Sequence, residues 1–339
     1  MTTTSPRAVV FRDTTLFACP ACGSDLEVDG AALACTGCRR SFPIEGGIPL
    51  LFVDEGDPAA DVTDRVKAFY EENPFPNYED LDSRWTLRDK ARRGVLAQLL
   101  DNQIRPGAKV LEVGCGTGQL SNFLALRPDR TVFGADICIN SLQLGQRFAT
   151  ANAIDNVGFV QMNLFRPIFK PGTFDVVICN GVLHHTADPF GGLRSISTLL
   201  KEGGVIMVGL YNRFGRVKTN LRRAVFSLSS GRFTSLDPRL RKADLNEARR
   251  RAWYMDQYKH PHESQHTFGE ALRWFDRCGL EFLNSIPKCQ PFKKFSAAEN
   301  LFGRHSRGWP LGRLLVQLKM AVDDREGGFY VVIGRKKTN

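Results

Sequence analysis

Residues 109–120 read KVLEVGCGTGQL. A short apolar run carries an acid, Glu112, and breaks into three glycines at alternate positions, Gly114, Gly116 and Gly118, before apolar spacing of helical period begins. Glycines so placed let a strand turn sharply into a helix and bring backbone close to a ligand that side chains would exclude. A dinucleotide fingerprint needs glycine at position 119; this chain has Gln119 there, which disfavours a nicotinamide cofactor.

Moving outward, the alternation continues. TVFGAD (131–136), VGFVQM (157–162), FDVVICN (174–180) and VIMVGLY (205–211) read as strands, with helical patterns around Ser141–Ala151 and up to about Lys201 between them, and GGFYVVIG (327–334) as the last strand. Strands separated by helices predict an α/β fold, a doubly wound, mostly parallel, seven-stranded Rossmann-like sheet spanning 101–212 and 264–339. In such a sheet ligands sit beyond the C-terminal strand ends, where the sharp motifs of this chain fall. Thr267 and Glu270 in HTFGEALRWF form a capping box that starts a late helix.

The acid followed by GxGxG resembles the first motif of class I S-adenosylmethionine-dependent methyltransferases. That resemblance implies S-adenosyl-L-methionine as cofactor, with Gly114, Gly116 and Gly118 wrapping its amino acid end and Glu112 near its amino group and sulfonium. It places Asp136 on the ribose diol, Ile137 and Cys138 beside adenine, and Asn163 with Leu164 at the end of the third strand, where the family commonly has an aspartate for the adenine amino group. The amide oxygen of Asn163 can accept the same hydrogen bond. The segment FDVVICNGVLHHTADP implies Asn180 and Gly181 as pocket residues next to the transferred methyl. His184 and His185 follow as candidate bases, relevant only if the acceptor has a proton to lose. GCGTGQ, GVLHH and the GLY segment also resemble a branch of bacterial methyltransferase domains, some fused to tetratricopeptide repeats, over most of residues 65–286.

Residues 19–38, CPACGSDLEVDGAALACTGC, hold two CxxC knuckles twelve residues apart. Four thiolates from Cys19, Cys22, Cys35 and Cys38 fill a tetrahedral zinc and leave no position for water, so the expected metal is structural Zn2+. FPIEGGIPLLF reads as the closing strands of a zinc ribbon over 1–55. The module resembles the zinc-ribbon activator subunits of tRNA, rRNA and translation-factor methyltransferases, here joined to the enzyme.

Between them, residues 56–100 read as a lid helix and linker. After a break at Gly56–Pro58, Val62, Val66, Phe69 and Tyr70 share one helical face until Asn73-Pro74, and PFPNY stiffens a loop bearing Phe75, Asn77 and Tyr78, either a cofactor cover or a packed linker. Residues 213–263 read as a basic substrate-recognition insertion, with 13 Lys and Arg against 5 Asp and Glu, which is most of the chain's net +10. This insertion holds Trp253, Tyr254, Asp256, His260 and His262, with His266 just beyond, and His262 is the third candidate base.

The charge favours RNA or another anionic partner. The expected function is methyl transfer to an O or N acceptor, with a slight preference for RNA or the translation machinery. The alternatives are a small-molecule or quinone/lipid acceptor, or a non-catalytic zinc-ribbon RNA-binding adaptor. Nine cysteines, odd in number and partly in metal spacing, together with an N-terminus lacking an apolar core, predict a reducing cytoplasm; no apolar run suits a transmembrane segment.

Overall fold

The computed structural model describes residues 13–53, 60–76, 78, 81–229, 232–241, 246–323 and 327–338. Asn77 and the Gly56–Pro58 break lie outside the described residues.

Among the described residues a 3-10 turn, Thr14–Leu16, precedes four short strands, β1 (Leu26–Asp29), β2 (Ala32–Cys35), β3 (Ser41–Glu45) and β4 (Ile48–Leu51), which are followed by helices α1 (Ala60–Glu72), α2 (Arg84–Arg92) and α3 (Val95–Gln103). The α/β core follows: β5 (Lys109–Val113), α4 (Gln119–Leu124), β6 (Thr131–Asp136), α5 (Ile139–Ala151), β7 (Val157–Met162), β8 (Phe174–Asn180), α6 (Pro189–Ser197) and β9 (Leu200–Tyr211). Next come α7 (Val217–Leu228) and α8 (Glu247–Tyr254), which runs into a π-helical turn, Met255–Lys259. The chain closes with α9 (Phe268–Arg277), β10 (Leu280–Ile286), α10 (Pro310–Val322) and β11 (Phe329–Lys336).

The strand order β7-β6-β5-β8-β9-β11-β10 gives the seven expected core strands, parallel from β7 to β9 and antiparallel at β11 and β10. The sheet is nevertheless larger than seven. β4 pairs in parallel with β7, Leu50 opposite Gln161 and Leu51 opposite Met162, so among the described residues the four ribbon strands extend one mixed sheet to eleven.

The extension has an apolar reason. Phe17, fully buried, forms a β-bridge with Phe169 and packs its ring 5.1 Å from Phe169 and 6.3 Å from Phe133, within one core that also holds Leu26, Leu33 and Leu51. The ribbon has too few residues to build its own core, and it shares that of the larger sheet. The capping box at α9 is present: Glu270 N–H donates to Thr267 Oγ1 (3.2 Å) and Thr267 N–H to Glu270 Oε2 (2.7 Å).

Candidate active site

The crevice expected beyond the strand ends is a cavity of about 600 Å3, within the range of small-molecule sites. Its first wall comes from β5, β6, β7 and β8. Glu112, Gly114, Gly116, Asp136, Ile137, Asn163, Leu164, Asn180 and Gly181 all line it. Gly118 does not; it opens α4 in the left-handed conformation (φ 71°), and a Cβ there would strike the Phe159 ring at 2.3 Å. Gly116 (φ 54°) is needed for another reason: a Cβ would meet the Phe75 carbonyl oxygen at 2.3 Å, so the glycine makes room for the covering loop.

The carboxylate of Asp136 is fixed by backbone, accepting from Gly116 N–H (2.7 Å) and Cys138 N–H (2.9 Å). Each oxygen keeps acceptor capacity toward the cavity. Burial raises its pKa. Glu112 is buried and accepts from Ser121 Oγ; burial pushes it up to about 7 despite that hydrogen bond. A carboxyl held in this way would be returned to its charged form by a cation placed beside it. Asn163 is buried with its amide oxygen accepting from Phe165 N–H (3.0 Å).

Helix α1 and the loop after it form the roof. Val66, Tyr70, Phe75 and Pro76 face the cavity, whereas Tyr78 turns away, stacking on Phe148 (4.8 Å) and accepting from Asn122 Nδ2 (2.8 Å). The loop is therefore a cover at Phe75 and a packed linker at Tyr78. Glu71 fastens the roof, its two carboxylate oxygens accepting from Ile139 N–H (2.9 Å) and Asn140 N–H (3.2 Å) at the start of α5. A carboxylate there satisfies helix donors that Cys138, with no side-chain cap, leaves open.

The facing wall joins distant segments. His185 lines the cavity, and its Nδ1 lies 2.8 Å from the His262 carbonyl oxygen. A carbonyl only accepts, so Nδ1 carries the proton and Nε2 keeps its lone pair. The imidazole also stacks on His260 at 3.6 Å. Burial pulls the His185 pKa down to about 4, so the ring is neutral near pH 7.

The other two candidate histidines sit differently. His184 is fully buried outside the cavity, with neither ring nitrogen hydrogen-bonded and its pKa held well below the ordinary value by burial. His262 also lies off the cavity; its Nε2 is 3.1 Å from the Thr186 carbonyl, and its own carbonyl orients His185.

Sequence reasoning missed Tyr70, Tyr211 and Gln257 as cavity residues and gave Asp256 no definite part. The π-helical turn after α8 places Asp256 and Gln257 against the cavity, a use to which such irregular turns are often put. Asp256 accepts from Tyr70 Oη (2.9 Å) and Gln257 Nε2 (2.8 Å), and burial raises its pKa. Gln257 also donates to Tyr211 Oη (2.6 Å) and accepts from Arg216 Nη1 (2.6 Å). The fully buried Arg216 pairs in bidentate fashion with Glu263 and lies 3.8 Å over the Tyr211 ring. Burial works to raise the Glu263 pKa, but the charges of Arg216 and Arg223 overcome it and leave about 2. Only the charge excess of this insertion was visible in sequence; the pairing of its arginines needed the fold.

At the ribbon, the four thiols of Cys19, Cys22, Cys35 and Cys38 lie within 4.8 Å of one another, with Cys19–Cys38 and Cys22–Cys35 sulfur separations of 3.7 and 3.4 Å. Four thiolates about 2.3 Å from one tetrahedral ion stand about 3.8 Å apart, so the donor set fits such a metal.

Residues 104–260 match the model of a methyltransferase domain. The chain contains a methyltransferase domain. Residues 15–47 match the Trm112p-like protein family, which covers the four cysteines. An uncharacterized protein of Synechococcus is 28% identical over 273 residues, 72% of this chain and 65% of that protein. The ubiquinone biosynthesis O-methyltransferase of Escherichia fergusonii is 37% identical over 111 residues, 32% of this chain and 45% of that enzyme. This chain thus spans less than two thirds of either relative. Among solved structures, PKMT2 from Rickettsia typhi in complex with AdoHcy superposes with a TM-score of 0.50 at 18% identity, over 72% of this chain and 52% of that one, a likeness of fold. The methyltransferase domain holds the entire strand-end wall and, through residue 260, most of the facing wall. Among the described residues no helix is long and apolar enough to cross a membrane.

Proposed function

We propose that the protein is an S-adenosylmethionine-dependent methyltransferase whose acceptor is a small, largely apolar molecule with a hydroxyl or amine that His185 deprotonates. The observation that carries this reading is the meeting of two chemistries on one cavity: the buried acids Glu112 and Asp136 on the strand-end wall and the unprotonated Nε2 of His185 on the facing one. When bound, S-adenosylmethionine supplies an electrophilic sulfonium methyl.

Glu112 holds the cationic end of that ligand, Asp136 its ribose diol, and Ile137, Asn163 and Leu164 its base. Asn180 and Gly181 border the reacting end. Phe75, Tyr70 and Phe329 exclude water, and His185, oriented by the His262 carbonyl, receives the acceptor's proton. Cys19, Cys22, Cys35 and Cys38 hold a structural Zn2+. Nine unpaired cysteines fit a reducing cytoplasm.

RNA as acceptor rests on charge, but Arg216 and Arg223 turn inward onto Glu263, and Arg239 lies over Trp253 at 4.3 Å. The aromatic lining and the partial similarity to ubiquinone O-methyltransferases favour a small acceptor instead.

Calorimetric titration with S-adenosylmethionine and S-adenosylhomocysteine tests the reading. Micromolar binding is expected, weakened about a hundredfold or more in Asp136→Ala with an unchanged circular dichroism spectrum. Absence of binding by the wild-type protein would overturn the reading in favour of a non-catalytic adaptor. Strongly salt-dependent binding of bulk RNA, competed by S-adenosylhomocysteine-loaded protein no better than by free RNA, would overturn the choice of acceptor.

A further inference from the structure

Two helices outside the cavity are amphipathic with the apolar stripe turned outward. On α10, Leu311, Leu315, Leu318 and Val322 are exposed while Gly312, Val316 and Met320 are buried. At about 100° per residue the exposed four fall within an arc of about 60°. On α7, Val217, Leu221, Val225 and Leu228 are exposed, the last 89% so, while Thr219 and Phe226 face inward. The Lys218 ammonium donates to the Val322 carbonyl (2.7 Å), which sets the start of α7 within a lysine's reach of the end of α10. Single exposed leucines are ordinary, but two four-residue apolar stripes on helices that meet at one end make the kind of exposure that marks an interaction surface.

The two helices that carry these stripes hold charge of one sign. Neither α7 (VKTNLRRAVFSL) nor α10 (PLGRLLVQLKMAV) contains an acid, and Lys218, Arg222, Arg313 and Lys319 belong to them; the first acid, Asp323, follows the end of α10. A second copy of the chain seated here would oppose basic rim to basic rim, whereas an anionic lipid surface meets both the apolar stripe and the charge. At about 18 Å, α7 is too short to cross a bilayer and suits the plane of its interface.

We propose that α7 and α10 together form a docking surface for anionic lipid bilayers, on which the protein rests without spanning. The insertion that carries α7 also supplies Asp256 and Gln257 to the cavity, and Arg223 Nη2 donates to the Gln257 carbonyl (2.8 Å), so the docked face and the facing wall are one packed unit.

The test is co-sedimentation of the full-length, zinc-loaded protein with vesicles of phosphatidylcholine with and without phosphatidylglycerol. Sedimentation with the phosphatidylglycerol vesicles alone is expected, declining as salt is raised. The double variant Leu221→Glu/Leu318→Glu, altered only at exposed positions, should lose it by about tenfold or more. Lys319→Glu should lose less and only the salt-sensitive part. Calorimetry with S-adenosylhomocysteine, unchanged in these variants, shows that they are folded and separates failure here from failure of the cofactor site. Equal recovery with and without phosphatidylglycerol would overturn the proposal. So would a dimer in sedimentation velocity that the double variant dissociates while the wild type ignores vesicles.

Discussion

On the strand-end wall of the cavity Gly116 and Asp136 bond across 20 residues of chain, whereas on the facing wall Tyr70 and Asp256 meet across 186. The first wall follows from turn chemistry at the ends of adjacent parallel strands, and Asp136 and Asn163 are held by backbone donors that any folded copy of the sheet provides. The second is gathered from α1, the loop after β8, the end of β9, the π-helical turn and the His262 carbonyl, largely through side chains, and its bonds depend on the packing of these segments. The near wall is therefore suited to a constant ligand and the far wall to a variable one.

The largest effect should come from a change that touches neither wall. Cys35→Ser removes one of four thiolates, and the protein is expected to lose its metal and several kcal/mol of stability. Because β4 pairs with β7, whose end leads into Asn163, the near wall should weaken too, seen as one lowered melting transition and reduced S-adenosylhomocysteine affinity. Two separate transitions, with the cofactor site unaffected, would show that the near wall is as local as its chain spacing suggests.

Next in size is His185→Ala, expected to lower turnover by about 10²–10⁴ with S-adenosylhomocysteine affinity unchanged by calorimetry. A base must be unprotonated to act, and a pKa held near 4 leaves His185 competent from neutral pH down to about pH 5, with activity failing below about 4. Stability has the same direction. His185 and His260, depressed to about 4 and about 3, contribute stability that is present above the unfolded histidine value of 6.5 and lost as pH falls through those folded values. Glu112, raised to about 7, works oppositely, contributing below 4.5 and losing that contribution as pH rises through 7. Melting temperature against pH should thus fall less steeply on the acid side in His260→Gln than in the wild type. The smallest effect is Tyr70→Phe, which leaves Asp256 one donor short and should cost about 1–2 kcal/mol in denaturant unfolding; no change would mean the far wall repacks freely.

The same contrast explains what could be read in advance. The GxGxG turn, Asp136 and the two CxxC knuckles were legible because each is a local requirement written in adjacent residues. Asp136 reached the cavity as its position demanded, and nine of the ten expected cofactor-site positions line it. IPLL closes the ribbon hairpin as read, pairing antiparallel with β3, but its fusion to the sheet was not legible, since nothing in those four residues marks their other edge as a partner for β7, and the burial of Phe17 beside Phe133 and Phe169 is a long-range fact. Among three histidines, sequence had no means to separate His185 from His184, because one residue of difference in a short turn sends one ring into the cavity and the other into the core. The charge of the insertion could be counted but not placed: Arg216, one of its cations, lies fully buried on Glu263.

The parallel pairing of Leu50 with Gln161 also bears on how the chain reaches this state. A ribbon closed by its own thiolates can form soon after it leaves the ribosome, whereas its partner strand β7 (Val157–Met162) lies much further along the chain than β4 (Ile48–Leu51). Until β7 emerges, β4 presents an unpaired edge and the Phe17 side chain an uncovered ring, a surface prone to wrong partners during synthesis. The ribbon then serves as a waiting template for β7, the core strand that lies against it. The slow step of assembly is therefore expected at this long-range junction, after the local turns of the cofactor wall have formed.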